Sequence, residues 1–432
     1  MLDFLTLPEA QVVAVCDVNE GSADYMEWGQ YELRDKTRET LKDSAWGEGV
    51  AGAQAGMKPA QDIVQRYYAA QGGRSKRKRC AAYRDYRELF DKEKDFDAVL
   101  IGTPDHVHAP IAVQAMRLGK HVYCQKPMSH TVHEARVMAR VATETGVATQ
   151  VATGNSASEA TRLLCEWVWA GAIGPVREVH NWSSRPLWPQ GLDRPAAEDP
   201  VPPYLDWNLW LGPAAMRPYS KAYQPFIWRG WFDFGTGTVG DMGCYSFETI
   251  FRVLKLGAPI RVSTSSTKVY PESFPAASLL HFQFPARGEM PPVSLHWYDG
   301  GLRPEKPEEL TDAEFEDEGL LFVGDSGKIL CGFNGSNPHL IPESAMTAFK
   351  QPPQTLPRSI GHNEEWLAAC KGGDPAGARF EVAAPVTETI LLGNVALRAG
   401  TTIDWDTATQ MVTNNAEANA LLHFDYREGW AL

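Results

Sequence analysis

Three short apolar runs, each ending in a polar cluster, constrain this chain more than any other feature. Gln11 to Asp17 carries Val12, Val13, Ala14, Val15 and Cys16 before its terminal acid. Phe96 to Gly102 ends at Thr103-Pro104-Asp105, and Lys120 to Cys124 ends at Gln125-Lys126-Pro127. Runs so short and apolar on both faces predict buried parallel strands. Helical patterns lie between them at Tyr86 to Glu93 and at Pro110 to Leu118, where Pro110 suits a helix start. A helix at His133 to Thr145 and a strand near Ala148 to Ala152 continue the alternation. Strand alternating with helix predicts a parallel sheet covered on both faces, with ligands held beyond the carboxyl ends of its strands. Asp17, Thr103 to His108 and Gln125 to Pro127 all fall at such ends.

From Val176 the pattern changes. Strand-like runs at Arg177 to Ser183, Ile260 to Val269, Ser278 to Phe284 and Val293 to Tyr298 are joined by long Trp- and Pro-rich connections. These predict a second, α+β unit on an open, largely antiparallel sheet. The expected fold class is therefore α/β plus α+β, divided into residues 1–152 and 153–432, with C-terminal helical segments packing back on the first unit. A total of 432 residues agrees with two or three domains of roughly 100 to 200 residues each. Two stretches interrupt the scheme: a polar insertion from Met26 to Ala82, expected as helix plus loop, and an acidic surface loop from Leu302 to Glu318.

Composition narrows the function. Hydrophobic residues at 44% and charged residues at 22% indicate a folded soluble protein. A net charge of −13 argues against a general nucleic-acid binder, and the one basic run, Arg74 to Arg79, reads as a solvated loop. The seven cysteines have no paired short spacing, so neither a zinc site nor a disulfide framework is expected, and free thiols fit a reducing compartment. No apolar stretch approaches the roughly 20 residues that span a bilayer, and the first residues lack a signal-peptide pattern. As written, the chain is expected in the cytoplasm, without a membrane or nucleic-acid partner.

Two constellations carry chemistry. Lys126 stands before Pro127 at a strand end, where a tertiary amide makes a cis peptide affordable and would aim the ammonium over the cleft. The glycine-rich stretch Gly235 to Tyr245 leads to Asp241, with Tyr245 four residues on. A helix starting near Asp241 puts both side chains on one face. An Asp and a Tyr beside a Lys can form an acid/base relay in which the ammonium lowers the phenol pKa toward working pH. The competing reading is that Asp241 caps the helix and Tyr245 packs. His106 and His108 lack a third ligand, so no metal is expected.

The order of acid-ending strand, Thr-Pro-Asp-His-Val-His at 103–108, Gln-Lys-Pro at 125–127 and Gly-Asp-Met-Gly-Cys-Tyr at 240–245 resembles the Gfo/Idh/MocA oxidoreductases. The likeness continues through Leu205 to Pro213, Trp228 to Trp231, Gly324 to Lys328, Gly361-His362 and Tyr426 to Trp430. It implies NAD in preference to NADP, with Asp17 on the adenosine ribose. It also places Thr103, Pro104 and His108 under the nicotinamide, beside Gln125, Lys126 and Pro127. Lys126, Asp241 and Tyr245 then match catalytic positions; Gln125 replaces the family's glutamate, and Tyr245 occupies a position that is histidine in the inositol dehydrogenase branch. Arg185, Trp228, Arg229 and His362 are expected at a sugar site, with Trp182 and Trp188 as further candidates. For each tryptophan, core packing is an equal alternative.

The resemblance implies a two-domain oxidoreductase moving a hydride between a sugar or polyol hydroxyl and nicotinamide, as a homodimer or homotetramer. Two alternatives stand beside it: a redox-cycling glycoside hydrolase and a cofactor-deficient sugar-binding homologue. A dinucleotide fold ordinarily opens with a strand and a Gly-x-Gly-x-x-Gly turn, and Met1 to Pro8 reads as the end of the helix after that turn. The expectation is an incomplete Rossmann-type sheet that binds NAD weakly, explained by a late start assignment, a shortened chain or loss of cofactor binding. An export signal upstream would make the protein periplasmic.

Overall fold

The computed structural model describes residues 1–27, 29–71, 80–310 and 315–432, so the basic run Arg74 to Arg79 lies outside the described residues. After α1 (Leu2–Thr6), strand β1 (Ala14–Cys16) opens a parallel layer. An antiparallel ribbon of β2 (Ser22–Tyr25) and β3 (Ala53–Ala55) follows, with α2 (Glu32–Leu41) between its strands. Helix α3 (Met57–Ala70) then crosses back to β4 (Ala81–Tyr83), which pairs in parallel with β1. The expected insertion is thus more than helix and loop. It contains the crossover helix, whose Ile63 and Val64 pack with Val15, Leu41 and Trp46, and it ends in a strand. Ala81-Ala82-Tyr83 has no β-branched residue, so it carries little strand signal.

The rest of the layer follows the expected alternation: α4 (Tyr86–Lys92), β5 (Ala98–Ile101), α5 (His108–Arg117), β6 (His121–Cys124), α6 (Val132–Thr145) and β7 (Thr149–Val151). The Asp85 carboxylate caps α4 by accepting from the Arg87 N–H. A reciprocal Thr131–Glu134 capping box starts α6, and Gly146 ends it in the left-handed region. Apolar positions Ala135, Met138, Val141 and Ala142 recur at helical spacing and are buried against α5 and the sheet. Strands β5, β6 and β7 form one parallel sheet in that order, separate from β1 and β4. Among the described residues no strand lies between β1 and β5, and both line the same cleft, where Leu100 is left 37% exposed.

Helix α7 (Glu159–Trp169) leads to the second sheet. Its strands are β8 (Val176–Trp182), β9 (Arg261–Ser266), β10 (Ser278–Phe284), β11 (Val293–Tyr298), β12 (Gly319–Gly324), β13 (Gly327–Cys331), β14 (His339–Ile341), β15 (Ile403–Asp406) and β16 (Met411–Val412). They run in the order β14-β13-β12-β8-β11-β10-β9-β15-β16, antiparallel throughout except for the parallel pair β8–β11. Between β8 and β9 lie α8 (Trp207–Leu211) and α9 (Gly237–Leu254); α10 (Glu343–Ala348), α11 (His362–Cys370) and α12 (Phe380–Ala399) follow β14. Leu280, Phe282, Phe284, Leu295 and Trp297 alternate along β10 and β11 to face α9, where Phe247 meets Phe282 and Trp297 edge-on. Each such side chain contributes about 1.5–3 kcal/mol on burial.

Helix α12 corrects one expectation. It is long and apolar enough to cross a membrane by length and composition, yet 72% of that window is buried inside the protein. Phe380 and Ala384 fill the core of the parallel layer, while Ile390, Leu391 and Leu392 fill the core of the second sheet. The C-terminal segment also reaches the first layer, where Tyr426 donates to Glu134 Oε1 (2.6 Å) and Trp430 lies against Tyr86.

The start of α9 depends on a glycine. Gly237 has φ +63°, and a Cβ there would stand 2.6 Å from the Phe274 ring. Gly237→Ala is therefore expected to destabilise the protein by more than about 1 kcal/mol, read as a lower denaturation midpoint. An unchanged midpoint would mean that Phe274 gives way freely.

Candidate active site

Strands β5 and β6 deliver Thr103 and Lys126 to one end of the parallel layer, and the first turns of α9 bring Asp241 and Tyr245 across from the second sheet. The Lys126–Pro127 peptide is cis. The Lys126 Nζ donates to the Asp241 backbone carbonyl (2.8 Å) and to Asp241 Oδ1 (3.0 Å), and it lies 4.8 Å from the centre of the Tyr245 ring. Arg229 Nε donates to the same Oδ1 at 3.0 Å, with its guanidinium held over Phe226 and Trp228. One carboxylate oxygen thus carries two cations. The other, Oδ2, is buried without a hydrogen-bond partner among the described residues.

Burial alone would raise the Asp241 carboxyl, but Lys126 and Arg229 outweigh it and hold the group below the ordinary carboxylate range. Burial also opposes the Lys126 ammonium, yet Asp241 and then Tyr245 raise its pKa, so it stays charged. Tyr245 departs from the sequence expectation. Its pKa is raised, because burial outweighs the pull of Lys126. Asp105, 2% exposed, accepts from Thr236 Oγ1 at 2.7 Å and is pushed up to about 7 by burial. Its position after Thr-Pro at a strand end was visible in sequence, but the Thr236 partner, 131 residues on, was not.

A cleft of about 1880 Å³ gathers most of the expected residues: Asp17, Thr103, Pro104, Gln125 and Lys126 on one side, and Arg185, Trp228, Arg229 and Tyr245 on the other. Asp241 lies buried beneath it. Others fall elsewhere. His108 is fully buried, its ring nitrogens 2.8 Å from the Pro127 carbonyl and 2.9 Å from that of Thr103, so it braces the two strand-end loops from behind. Pro127 is likewise behind the cleft surface, its carbonyl engaged by that brace. His362, at the start of α11, sits 3.0 Å from the Val151 carbonyl and edge-on to Tyr123, away from the cleft lining. Trp182 packs with Leu310 and Leu321 in a separate cluster, and Trp188 is buried with its indole N–H on Gln190.

The cleft has features that suit a nicotinamide dinucleotide. Asp17 opens into one end of it, and the surrounding protein pushes its carboxyl up to about 6 by desolvation. Near the other end, the Thr103 hydroxyl is buried without a hydrogen-bond partner among the described residues. An acid at the end of β1 fits ribose hydroxyls, and the idle hydroxyl beside Lys126 fits a polar group of the cofactor.

A Rossmann-type parallel layer is thus joined to a second domain whose helix closes a Lys–Asp–Tyr cluster over the strand ends. The comparisons are specific. Residues 53–153 match the family described as "Oxidoreductase family, NAD-binding Rossmann fold", and residues 178–281 match its "Oxidoreductase family, C-terminal alpha/beta domain". Both are models of the Gfo/Idh/MocA oxidoreductases, and the chain matches them in order. It is similar to the levoglucosan dehydrogenase of Pseudarthrobacter phenanthrenivorans, 32% identical over 110 residues, or 24% of this chain and 28% of that protein. A glycosyl hydrolase family 109 protein of Shewanella baltica is 45% identical over 49 residues, or 11% of this chain and 10% of that protein. The matches thus span less than a third of these relatives. The crystal structure of the WlbA dehydrogenase from Bordetella pertussis, in complex with NADH and UDP-GlcNAcA, shares the fold with a TM-score of 0.56. It is 12% identical, with 92% of this chain and 91% of that one covered.

Proposed function

We propose that this protein interconverts a sugar or polyol hydroxyl and the corresponding carbonyl with NAD(P), at the cleft bounded by Lys126, Tyr245 and Asp241. The observation that carries the reading is the shared oxygen of Asp241. Two cations, Lys126 and Arg229, meet one carboxylate, and Asp105, pushed up to about 7 by burial, is a second acid that they feel. With Asp105 protonated the cluster keeps positive charge beside Tyr245. That charge complements the negative charge developing on a substrate oxygen. Bound NAD(P) would accept or supply the hydride, held at Asp17 and at Thr103 with Gln125. Lys126 orients the substrate oxygen and stabilises it as its proton leaves; Tyr245 exchanges that proton.

The raised pKa of Tyr245 sets a direction. At neutral pH the phenol is protonated and ready to donate to a carbonyl, whereas hydroxyl oxidation needs the phenolate. Oxidation is expected to accelerate with pH to beyond the ordinary tyrosine value of about 10. Tyr245→Phe should remove that dependence and lower turnover by roughly 10² to 10⁴. A pH–rate profile for NAD(P)-linked oxidation of an aldose and polyol panel tests this, and an unchanged profile in Tyr245→Phe would reject the assignment. Failure of the wild type to bind either cofactor would favour a sugar-binding homologue.

Two finer points belong to the same proposal. Asp17, at the end of β1, favours NAD, because a carboxylate there repels the 2′-phosphate of NADP. The outer face of the second sheet, beyond the part that Leu310 and Phe315 cover, is the surface we assign to self-association as a dimer or tetramer. The match to a glycosyl hydrolase family 109 protein supports a second reading, glycoside cleavage with the cofactor recycled. Free aglycone without net NADH would favour it, and stoichiometric ketose or lactone the dehydrogenase.

A further inference from the structure

The outer face of the second sheet carries a feature remote from the cleft. His180 on β8, His296 on β11 and His281 on β10 are direct cross-strand partners. Their rings stack face to face, with centroids 4.9 Å apart at 15° for the first pair and 4.4 Å apart at 5° for the second. Their neighbours in sequence, Val179, Trp297 and Phe282, point the other way into the core under α9. The ladder therefore clips together the three central strands, across the sheet's one parallel pairing among the described residues.

We propose that His180, His296 and His281 form a pH-sensitive ladder that holds the centre of this sheet while uncharged and releases it on acidification. The reading does not depend on the proposed activity. Neutral imidazoles stack well, and a single imidazolium against a neighbouring ring is tolerable. Two charges at these separations in a half-buried setting repel strongly.

Within one chain the surroundings offer little compensation. Glu178, on β8, has Oε2 3.5 Å from His180 Nε2 and is the carboxylate facing this end of the stack. Tyr298 on β11 places its hydroxyl 3.1 Å from His180 Nδ1. Leu321 on β12 stands opposite His180, and Ser263 on β9 stands opposite His281. Ser294 and Gln283 lie along the same face of β11 and β10. Farther out, Arg261 is paired with Asp404 and Lys328 with Glu309. Glu178 lies against His180 and also acts on His281, so it can balance one charge in the ladder, while His296, between two rings, draws no such support. No group of three His, Cys or acidic side chains among the described residues is disposed to hold a metal ion, so the stack is not a ligand set.

Burial, followed by its two imidazole neighbours, pushes His296 down to about 4, and burial also lowers His180 and His281. A base whose folded value is depressed stabilises the protein fully above its unfolded value of about 6.5. That contribution is lost as pH falls toward the folded value.

The test compares melting temperatures of the wild-type full chain and His296→Phe, which keeps a flat stacking ring that cannot charge. Between about pH 7.5 and about pH 5, the wild type should lose roughly 3 °C more than the variant. Other buried histidines, such as His106 and His130, titrate in both proteins and cancel. Equal losses would overturn the proposal. If His296→Phe does not fold, histidine-selective 13C NMR titration of the wild type decides, the ladder rings being recognised by their mutual Overhauser contacts. Coupled titrations below the free-imidazole value support the ladder, and independent titrations at about 6.5 reject it.

Discussion

Lys126→Ala is expected to reduce turnover by roughly 10³-fold while the protein remains folded, the size of effect seen when one preorganised donor to a developing oxyanion is removed. The fold should survive because of Arg229. Its guanidinium bonds the same Asp241 oxygen that Lys126 bonds, so truncating the lysine leaves the buried carboxylate paired. The lost ammonium is also the charge beside the Tyr245 ring, so proton exchange and oxyanion stabilisation fail together. Steady-state kinetics with a thermal melt on the same preparation separates chemistry from folding. Full turnover in a folded Lys126→Ala protein would remove the lysine from the mechanism.

Asp241→Ala should act in the opposite manner, with its larger effect on stability. The side chain is 3% exposed and is shared by two cations that are themselves only 11% and 15% exposed. Removing it leaves Lys126 and Arg229 buried together without their common partner, a kind of change that costs about 3–5 kcal/mol. Asp241→Asn keeps the shape but not the charge and should recover only part of that loss. The wild-type carboxyl lies below its unfolded value, so its contribution is complete above about pH 4 and fades only in stronger acid. The variant's deficit in denaturant unfolding should therefore be constant from pH 8 to about pH 5. A deficit that vanished near neutrality would show that the cations find water or other partners.

Several parts of this molecule were legible in the sequence. Strands β10 and β11 coincide with the expected Ser278 to Phe284 and Val293 to Tyr298, because strict alternation marks a sheet with one face buried. The parallel strands β1, β5 and β6 were visible as continuous apolar runs, and β7 as the next step of the strand–helix alternation. Strand β12 was not, since Leu320, Leu321 and Phe322 are all buried, and Leu321 packs outward with Trp182 and Leu310. With both faces covered, alternation disappears.

The site shows the same division. The order of motifs pointed to Lys126, Asp241 and Tyr245, and the structure gathers them. Charge reasoning from sequence gave Tyr245 the wrong sign, because it included the neighbouring ammonium and omitted the burial that opposes it. Arg229 was read as a sugar contact; it lines the cleft, and its bond to Asp241 was not foreseen. The histidine ladder left no sequence signal, for residues 180, 281 and 296 become neighbours only through strand register.

Helix α12 has a consequence for the order in which the protein can be made. Phe380 and Ala384 complete a core whose other members, from Phe90 to Val151, leave the ribosome more than two hundred residues earlier. That early layer has to wait, with an apolar gap, until almost the whole chain has been synthesised. The same helix then continues into the second core through Val386, Ile390 and Val395. Vectorial folding, first domain before second, is thereby replaced by late joint closure, and the waiting layer is the species most exposed to aggregation and most in need of chaperone cover.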